Sequence, residues 1–254
     1  MIDIHNHIIS GVDDGPQNEE QVLALLKQAA KENITGIVAT PHHLHYRYNN
    51  KFNDIEQCVI DINNNEKVKE LGVKIYPGQE VRASDKLLTD IDNGNIKGVN
   101  YSKYLLIELP SNQVPNFLSS LIYEIQTRGY IPVIVHPERN KVIAQDINVL
   151  YGLVCHGVLA QLTASSLSGD MGRNLQRISM NMIEYNLVHF IASDAHNTQS
   201  RPFLGNSLFS NSKLKKYEDE ISMLYKNNEK MIQNKNINQS RPIEFKKKKF
   251  LGLF

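Results

Sequence analysis

Six short apolar runs along this chain each finish on a histidine or a carboxylate. Met1–Ile4 leads into His5 and His7, and Gly36–Thr40 leads into Pro41 and His42. The run around Val73–Tyr76 leads into Glu80, Tyr104–Ile107 stops at Glu108, and Ile131–Val135 stops at His136. Leu187–Ala192 leads into Asp194 and His196. With Asp14 from the first loop, these ends supply nine nitrogen or oxygen ligand candidates: His5, His7, Asp14, His42, Glu80, Glu108, His136, Asp194 and His196. Parallel strands in a barrel deliver their C-terminal ends to one rim, where residues distant in sequence meet.

Helical patterns separate the runs. Val22, Leu25, Leu26 and Ala29 carry the spacing of an amphipathic helix over 18–33, with Asn18 as its N-cap and Glu19 and Glu20 in its first turn. Further helices are expected over 53–71, 84–98 (short, with a Gly/Asn-rich turn), 114–128, 141–155, 170–186 and 213–234. Strands are expected at 1–4, 34–40, 73–80, 104–108, 130–135, 157–162 and 187–192. The sixth of these ends, after Leu162, carries no obvious ligand. Alternating strands and helices predict an α/β fold with a parallel sheet, closed or strongly curved.

A length of 254 residues suits one such barrel, and no repeat or linker divides it. One domain is expected over 1–240. The end, 241–254, changes character: four lysines (Lys246–Lys249) sit among Phe245, Phe250, Leu251, Leu253 and Phe254. Each lysine near an anionic membrane would add about 1 kcal/mol of attraction, although a solvated tail is the simpler reading. The net charge of +1 and the lack of a basic groove argue against nucleic acid. Met1 already starts a strand, so no export signal is expected, and no apolar run is long enough to span a bilayer. Two cysteines, Cys58 and Cys155, are too few for a disulfide framework and fit a reducing cytoplasm.

The pairs His5-x-His7 and Asp194-x-His196 share the spacing that puts two side chains on one face of an extended strand. Imidazoles and carboxylates without thiolates suit Mn, Fe, Zn or Mg rather than a structural zinc site. Nine ligands exceed the needs of one ion, so two or three ions sharing carboxylates are expected. Such clusters serve phosphoester hydrolysis through an activated water. Arg139 follows His136 by three residues and Arg201 follows His196 by five, and each offers a guanidinium fork for phosphate oxygens. A thiolate phosphatase would need Cys followed six positions later by Arg; positions 64 and 161 hold Asn and Gln. The segment His43, His45, Tyr46 and Tyr48 reads most simply as an exposed polar loop, its alternative being a rim that touches a phosphotyrosine ring. His156 and His189 read as structural.

The motifs Met1-Ile2-Asp3-Ile4-His5-Asn6-His7, Val12-Asp13-Asp14-Gly15-Pro16, Thr40-Pro41-His42, His136-Pro137-Glu138-Arg139 and Ser193-Asp194-Ala195-His196 together resemble the polymerase-and-histidinol-phosphatase (PHP) superfamily. Within it, the chain resembles the CpsB/CapC group of bacterial manganese-dependent protein-tyrosine phosphatases, over residues 1 to about 205. The resemblance implies a distorted (β/α)7 barrel holding two or three divalent ions, usually manganese, on the nine positions above. It implies Arg139 and Arg201 as phosphate contacts, Arg201 less securely because its loop varies. It also implies a tyrosine-phosphorylated kinase tail as substrate, a role in capsule or exopolysaccharide synthesis, and a cytoplasmic, membrane-proximal location. Ring-shaped homo-oligomers occur in the group. Two other readings stay open: a small-ester phosphatase, of histidinol phosphate for example, and a non-catalytic metal-binding regulator of the kinase.

Overall fold

The computed structural model describes residues 1–246. Among the described residues, nine parallel strands run in chain order: β1 (Ile2–Asn6), β2 (Gly36–Ala39), β3 (His42–His43), β4 (Lys74–Pro77), β5 (Glu80–Arg82), β6 (Tyr104–Glu108), β7 (Ile131–Val135), β8 (Leu159–Thr163) and β9 (Phe190–Ala192). They pair as β1-β2-β4 and as β3-β5-β6-β7-β8-β9. The expected strand 34–40 is therefore followed by a further short strand, β3, and the expected strand 73–80 is broken between β4 and β5. Pro41 has no N–H to continue the ladder after Ala39, and the chain resumes at His42, paired with Glu80. The break between β4 and β5 falls at Gly78-Gln79. A Cβ on Gly78 would lie 2.7 Å from Val38 Cγ1, so the chain needs glycine where it shifts from one sheet to the other.

The barrel closes between its first and last strands. His7 N–H donates to the Ala195 carbonyl at 2.9 Å and Asp194 N–H to the His5 carbonyl at 2.8 Å. Lower on the same seam, the Asp3 carboxylate accepts from Ser193 N–H at 2.7 Å. The helix Glu218–Ile232 backs the seam. Its Asn228 amide donates to the carbonyls of Ile2 (2.8 Å) and Ile191 (2.7 Å), one on each strand. Asn228 is fully buried, and its amide satisfies acceptors that the irregular closure leaves over.

The longer expected helices form, but 84–98 narrows to Leu87–Asp92, 213–234 opens with a 3-10 stretch at Ser212–Tyr217 before Glu218–Ile232, the short helices Ala164–Ser168 and Asn206–Phe209 were not expected, and two segments are interrupted. The helix Glu19–Lys31 starts at Asn18, whose side chain accepts from Gln21 N–H, and buries Val22, Leu25, Leu26 and Ala29. The segment expected at 53–71 splits into Phe52–Asn64 and Glu66–Lys69, because Asn65 leaves helical geometry and caps the second piece. Likewise 141–155 splits into Lys141–Gln145 and Asn148–Cys155 around Asp146-Ile147. Inside the barrel Val38, Leu106, Val133, Val135, Leu159 and Phe190 belong to one buried cluster. Two residues on from Leu106 and Leu159, the pleat presents Glu108 and Gln161 on the same faces.

The end of the described chain is fastened to the domain. Ile243 N–H donates to the Tyr185 carbonyl at 2.9 Å. Phe245 exchanges two backbone hydrogen bonds with the Asn148 side chain, at 2.8 and 3.0 Å. Most of the lysine and apolar tail, 247–254, lies outside the described residues. Among the described residues no helix is long and apolar enough to cross a membrane.

Candidate metal centre

All nine ligand candidates converge on the C-terminal rim of the strands. His5 Nε2 lies 3.5 Å from Glu80 Oε1 and 3.6 Å from Asp194 Oδ1. His7 Nε2 lies 3.4 Å from Glu80 Oε2 and 3.3 Å from Asp194 Oδ1. His42 Nδ1 is 2.8 Å from Glu80 Oε2 and 4.0 Å from Glu108 Oε2. Asp14 Oδ1 reaches both His42 and His196, at 3.5 and 3.3 Å. His136 Nε2 is 2.8 Å from Glu80 Oε1. Three overlapping groups emerge: His7, Asp14, His42 and His196; His5, His7 and Glu80; and His42, Glu80 and Glu108, with the donor atoms of each group within 4.8 Å of one another. His7, His42 and Glu80 each belong to two groups, so one side chain serves adjacent positions.

Seven of these nine residues have a buried donor or acceptor atom without a hydrogen-bond partner: His5 Nε2, His7 Nε2, His42 Nδ1, Glu80 Oε2, Glu108 Oε2, Asp194 Oδ1 and His196 Nε2. Buried polar atoms are normally satisfied, and each orphan costs about 1–3 kcal/mol. Seven orphans turned toward one another fit divalent cations.

Local backbone geometry sets these side chains. Gly15 lets the first loop reach the end of β1, because a Cβ there would lie 2.1 Å from the His7 carbonyl oxygen. His136 and Asp194 both hold left-handed backbone, with φ of 36° and 53°. That region costs non-glycine residues about 1–2 kcal/mol each, and such strain concentrates at functional sites.

The charge pattern follows from the contacts. Burial raises the Glu80 carboxyl, but the imidazoles of His5 and His42 outweigh it and hold Glu80 well below the usual range. Burial likewise raises Asp194, and the guanidinium groups of Arg139 and Arg201 bring it far down. Burial and then Arg139 push His136 down to about 4, leaving a neutral ring suited to ligation. Burial lowers His42, yet Glu80 and Asp14 lift it to about 9. The two candidate phosphate contacts, Arg139 and Arg201, each place a guanidinium nitrogen 2.6 Å from Asp194 Oδ2. They thus stand side by side at the mouth, in a cavity of about 410 Å³ that Asp14, His42, Glu80 and Glu108 also line.

Several contributors had no signal in the strand-end pattern. Asp13 Oδ2 lies 2.6 Å from His7 Nδ1 and accepts from His42 N–H at 3.3 Å. Gln161, on the strand without an obvious ligand, places Oε1 2.7 Å from His5 Nδ1. Both contacts leave Nε2 as the free ring nitrogen, which is how ligating histidines are usually oriented. Arg82 pairs with Glu108 at 2.8 Å. The loop after His42 divides. His43 is buried and bonds Asp90 at 2.8 Å, a structural role, whereas His45, Tyr46 and Tyr48 line the cavity, with Tyr46 exposed as expected of the loop. His189 is buried against β8 and His156 caps its own helix through the Gly152 carbonyl, both structural as expected.

The family described as capsular polysaccharide synthesis, CpsB/CapC, matches residues 1–233. The chain is 48% identical to CapC of Staphylococcus aureus over the whole of both chains. It is 36% identical to tyrosine-protein phosphatase YwqE of Bacillus subtilis (strain 168), again over the whole of both. Tyrosine-protein phosphatase CpsB of Streptococcus pneumoniae is 28% identical, over 80% of this chain and 85% of that one. Among solved structures, one from a study of YwqE and CpsB as unique metal-dependent tyrosine phosphatases superposes with a TM-score of 0.91 at 35% identity, covering 97% of this chain and 100% of that one.

Proposed function

Because the chain belongs to the CpsB/CapC capsular polysaccharide synthesis family, we propose that it is a metal-dependent protein-tyrosine phosphatase acting on a bacterial tyrosine kinase that governs capsule or exopolysaccharide synthesis. The nine converging side chains would hold two or three divalent ions; their imidazoles and carboxylates suit Mn, Fe, Zn or Mg, and the family resemblance favours manganese among these. The observation that carries this reading is the seven orphaned buried atoms facing one another. A cytoplasmic enzyme near the membrane fits a kinase substrate, and the basic tail from Lys246 onward is its candidate membrane contact. Equal pelleting with anionic liposomes of the full chain and of a chain ending at Arg241 would remove that contact from the proposal.

Divalent ions at this centre supply Lewis acidity and an activated water near neutral pH. The chain's own residues do the rest. Arg139 and Arg201 take the non-bridging phosphate oxygens, and Asp194 holds both guanidinium groups in place before substrate arrives. Asp13 and Gln161 fix the rings of His7 and His5. Tyrosine is a comparatively good leaving group, with a pKa of about 10, so strong acid help from the protein is unnecessary. Neither Cys58 nor Cys155 lines the cavity.

Metal content by elemental analysis, together with hydrolysis rates on phosphotyrosine and phosphoserine peptides, tests the proposal. The expected result is two or three ions per chain, a preference for phosphotyrosine and loss of activity on chelation. Activity that survives chelation, or a preference for small alkyl phosphate esters, would overturn it.

A further inference from the structure

The mouth of the cavity carries an aromatic feature that metal binding and phosphate capture do not explain. Residues 45–48 form a tight turn in which His45 and Tyr48 exchange backbone hydrogen bonds at 3.0 and 3.2 Å. The turn is preformed. Asn50 braces it by donating to the Val12 carbonyl (3.1 Å) and the His42 carbonyl (2.9 Å). Leu44 enters it with left-handed backbone, φ 55°. The rings of His42, His45 and Tyr48 lie nearly parallel. Their interplanar angles are 17° for His42–His45, 12° for His45–Tyr48 and 5° for His42–Tyr48, with centroids 4.7, 5.4 and 5.9 Å apart in the same order. Tyr46, at the tip, is already engaged by the Arg47 guanidinium 5.1 Å over its ring. Met171 lines the same cavity and leaves 38% of its surface exposed.

We propose that Tyr48, backed by His45 and joined by Met171, forms an aryl-binding wall that makes this site select aromatic over alkyl phosphate esters; the proposal rests on the phosphotyrosine reading above. A phosphate held by Arg139 and Arg201 must send its ester group outward through the mouth. A phenyl ring leaving the phosphate meets the wall, because these residues line that one cavity. Aromatic pairs prefer offset or edge contacts with ring centroids about 4.5–7 Å apart, and a methionine sulfur adds a favourable contact to an aromatic edge. The short stem of phosphoserine ends before it gains either contact. The parallel rings run from Tyr48 to His42, so the wall is continuous with the metal centre and fixes ring and phosphate together.

Calorimetric binding of phenylphosphonate and of methylphosphonate to the manganese-loaded full chain isolates the ring, since both present the same phosphonate and neither is turned over. The wild-type protein should bind the phenyl compound about threefold to tenfold more tightly than the methyl one, the range expected of one aromatic contact. Tyr48→Leu and Met171→Ala should each shrink that ratio, and Tyr48→Phe should keep it. An unchanged ratio in Tyr48→Leu, or a parallel loss for both ligands, would overturn the wall, the latter because the residue would then act through His42. A loss in Tyr48→Phe equal to that in Tyr48→Leu would also overturn it, by assigning the effect to the hydroxyl. Failure of the phosphotyrosine reading would show separately, as absent turnover of phosphotyrosine peptides whatever the binding ratio.

Discussion

The Asp13 carboxylate lies 2.6 Å from Nδ1 of His7, on the opposite edge of the ring from the Nε2 that faces Glu80 and Asp194. One oxygen therefore decides which nitrogen of a buried imidazole stays free for a metal. The same carboxylate also accepts from the backbone N–H groups of His42 and Gly15, tying three candidate ligand segments to one group.

Removing that group should weaken metal binding without dismantling the barrel. Loss of a carboxylate behind a ligating histidine typically costs 10- to 100-fold in metal affinity. Asp13→Ala should fall in that range, read by chelator competition. Unchanged affinity would mean that the short contact is incidental.

Arg139 and Arg201 share Asp194 Oδ2 but not their burial. Arg139 is the more enclosed, with 21% of its side chain exposed against 33%. Arg139→Lys should lower kcat/KM on a phosphotyrosine peptide by about 10²-fold, the scale for one lost donor at a developing charge, because an ammonium does not reproduce the fork. Arg201→Lys should cost less. Equal losses, measured at saturating metal, would contradict the ranking.

His189 stores an acid sensitivity away from the metal. Burial alone pushes its pKa down to about 4, and its Nδ1 accepts from Ala160 N–H at 3.2 Å. The ring is neutral in the fold and titrates near 6.5 when unfolded, so its stability contribution is complete above pH 6.5. That contribution disappears as pH falls toward 4, by about 3 kcal/mol in all. Urea midpoints of chelated protein should therefore drop more between pH 7 and 4.5 in the wild type than in His189→Asn. Parallel pH profiles would refute the assignment.

Asn228 bridges the seam of the barrel through the carbonyls of Ile2 and Ile191. Asn228→Leu leaves both acceptors buried without a donor, at a cost of about 2–4 kcal/mol. Denaturant unfolding should show that loss with an unchanged m-value. A loss below about 0.5 kcal/mol, the range of ordinary surface substitutions, would show that the seam does not depend on it.

The convergence of the candidate ligands was legible because strand ends and i, i+2 pairs are local patterns, and the barrel turns local endings into one rim. Asp13 was not legible. It adjoins Asp14 and has the same chemistry, and only the approach of Gly15 to His7 decides which carboxylate faces the ring edge and which faces His42 and His196. Gln161 escaped because an amide that orients a histidine has no spacing rule; its partner lies 156 positions away. The helix breaks at Asn65 and Asp146 escaped because the apolar stripe continues across each of them. The extra strand after Pro41 and the break at Gly78 followed from that proline and from the contact of Gly78 with Val38. The proline was visible in the sequence, but the contact required the neighbouring strand.

The seam between the first and last strands has a consequence for how the protein comes into being. Asp3 meets Ser193 across 190 positions of chain. During synthesis, His5 and His7 leave the ribosome long before Asp194, which each of them faces in the folded protein. A chain that stops short of Asp194 carries seven of the nine candidate ligands but has no closed wall to hold them. Long-range closure of this kind comes late in folding. Metal loading at the candidate centre is therefore expected only after Asp194 and His196 have been made and the seam has closed.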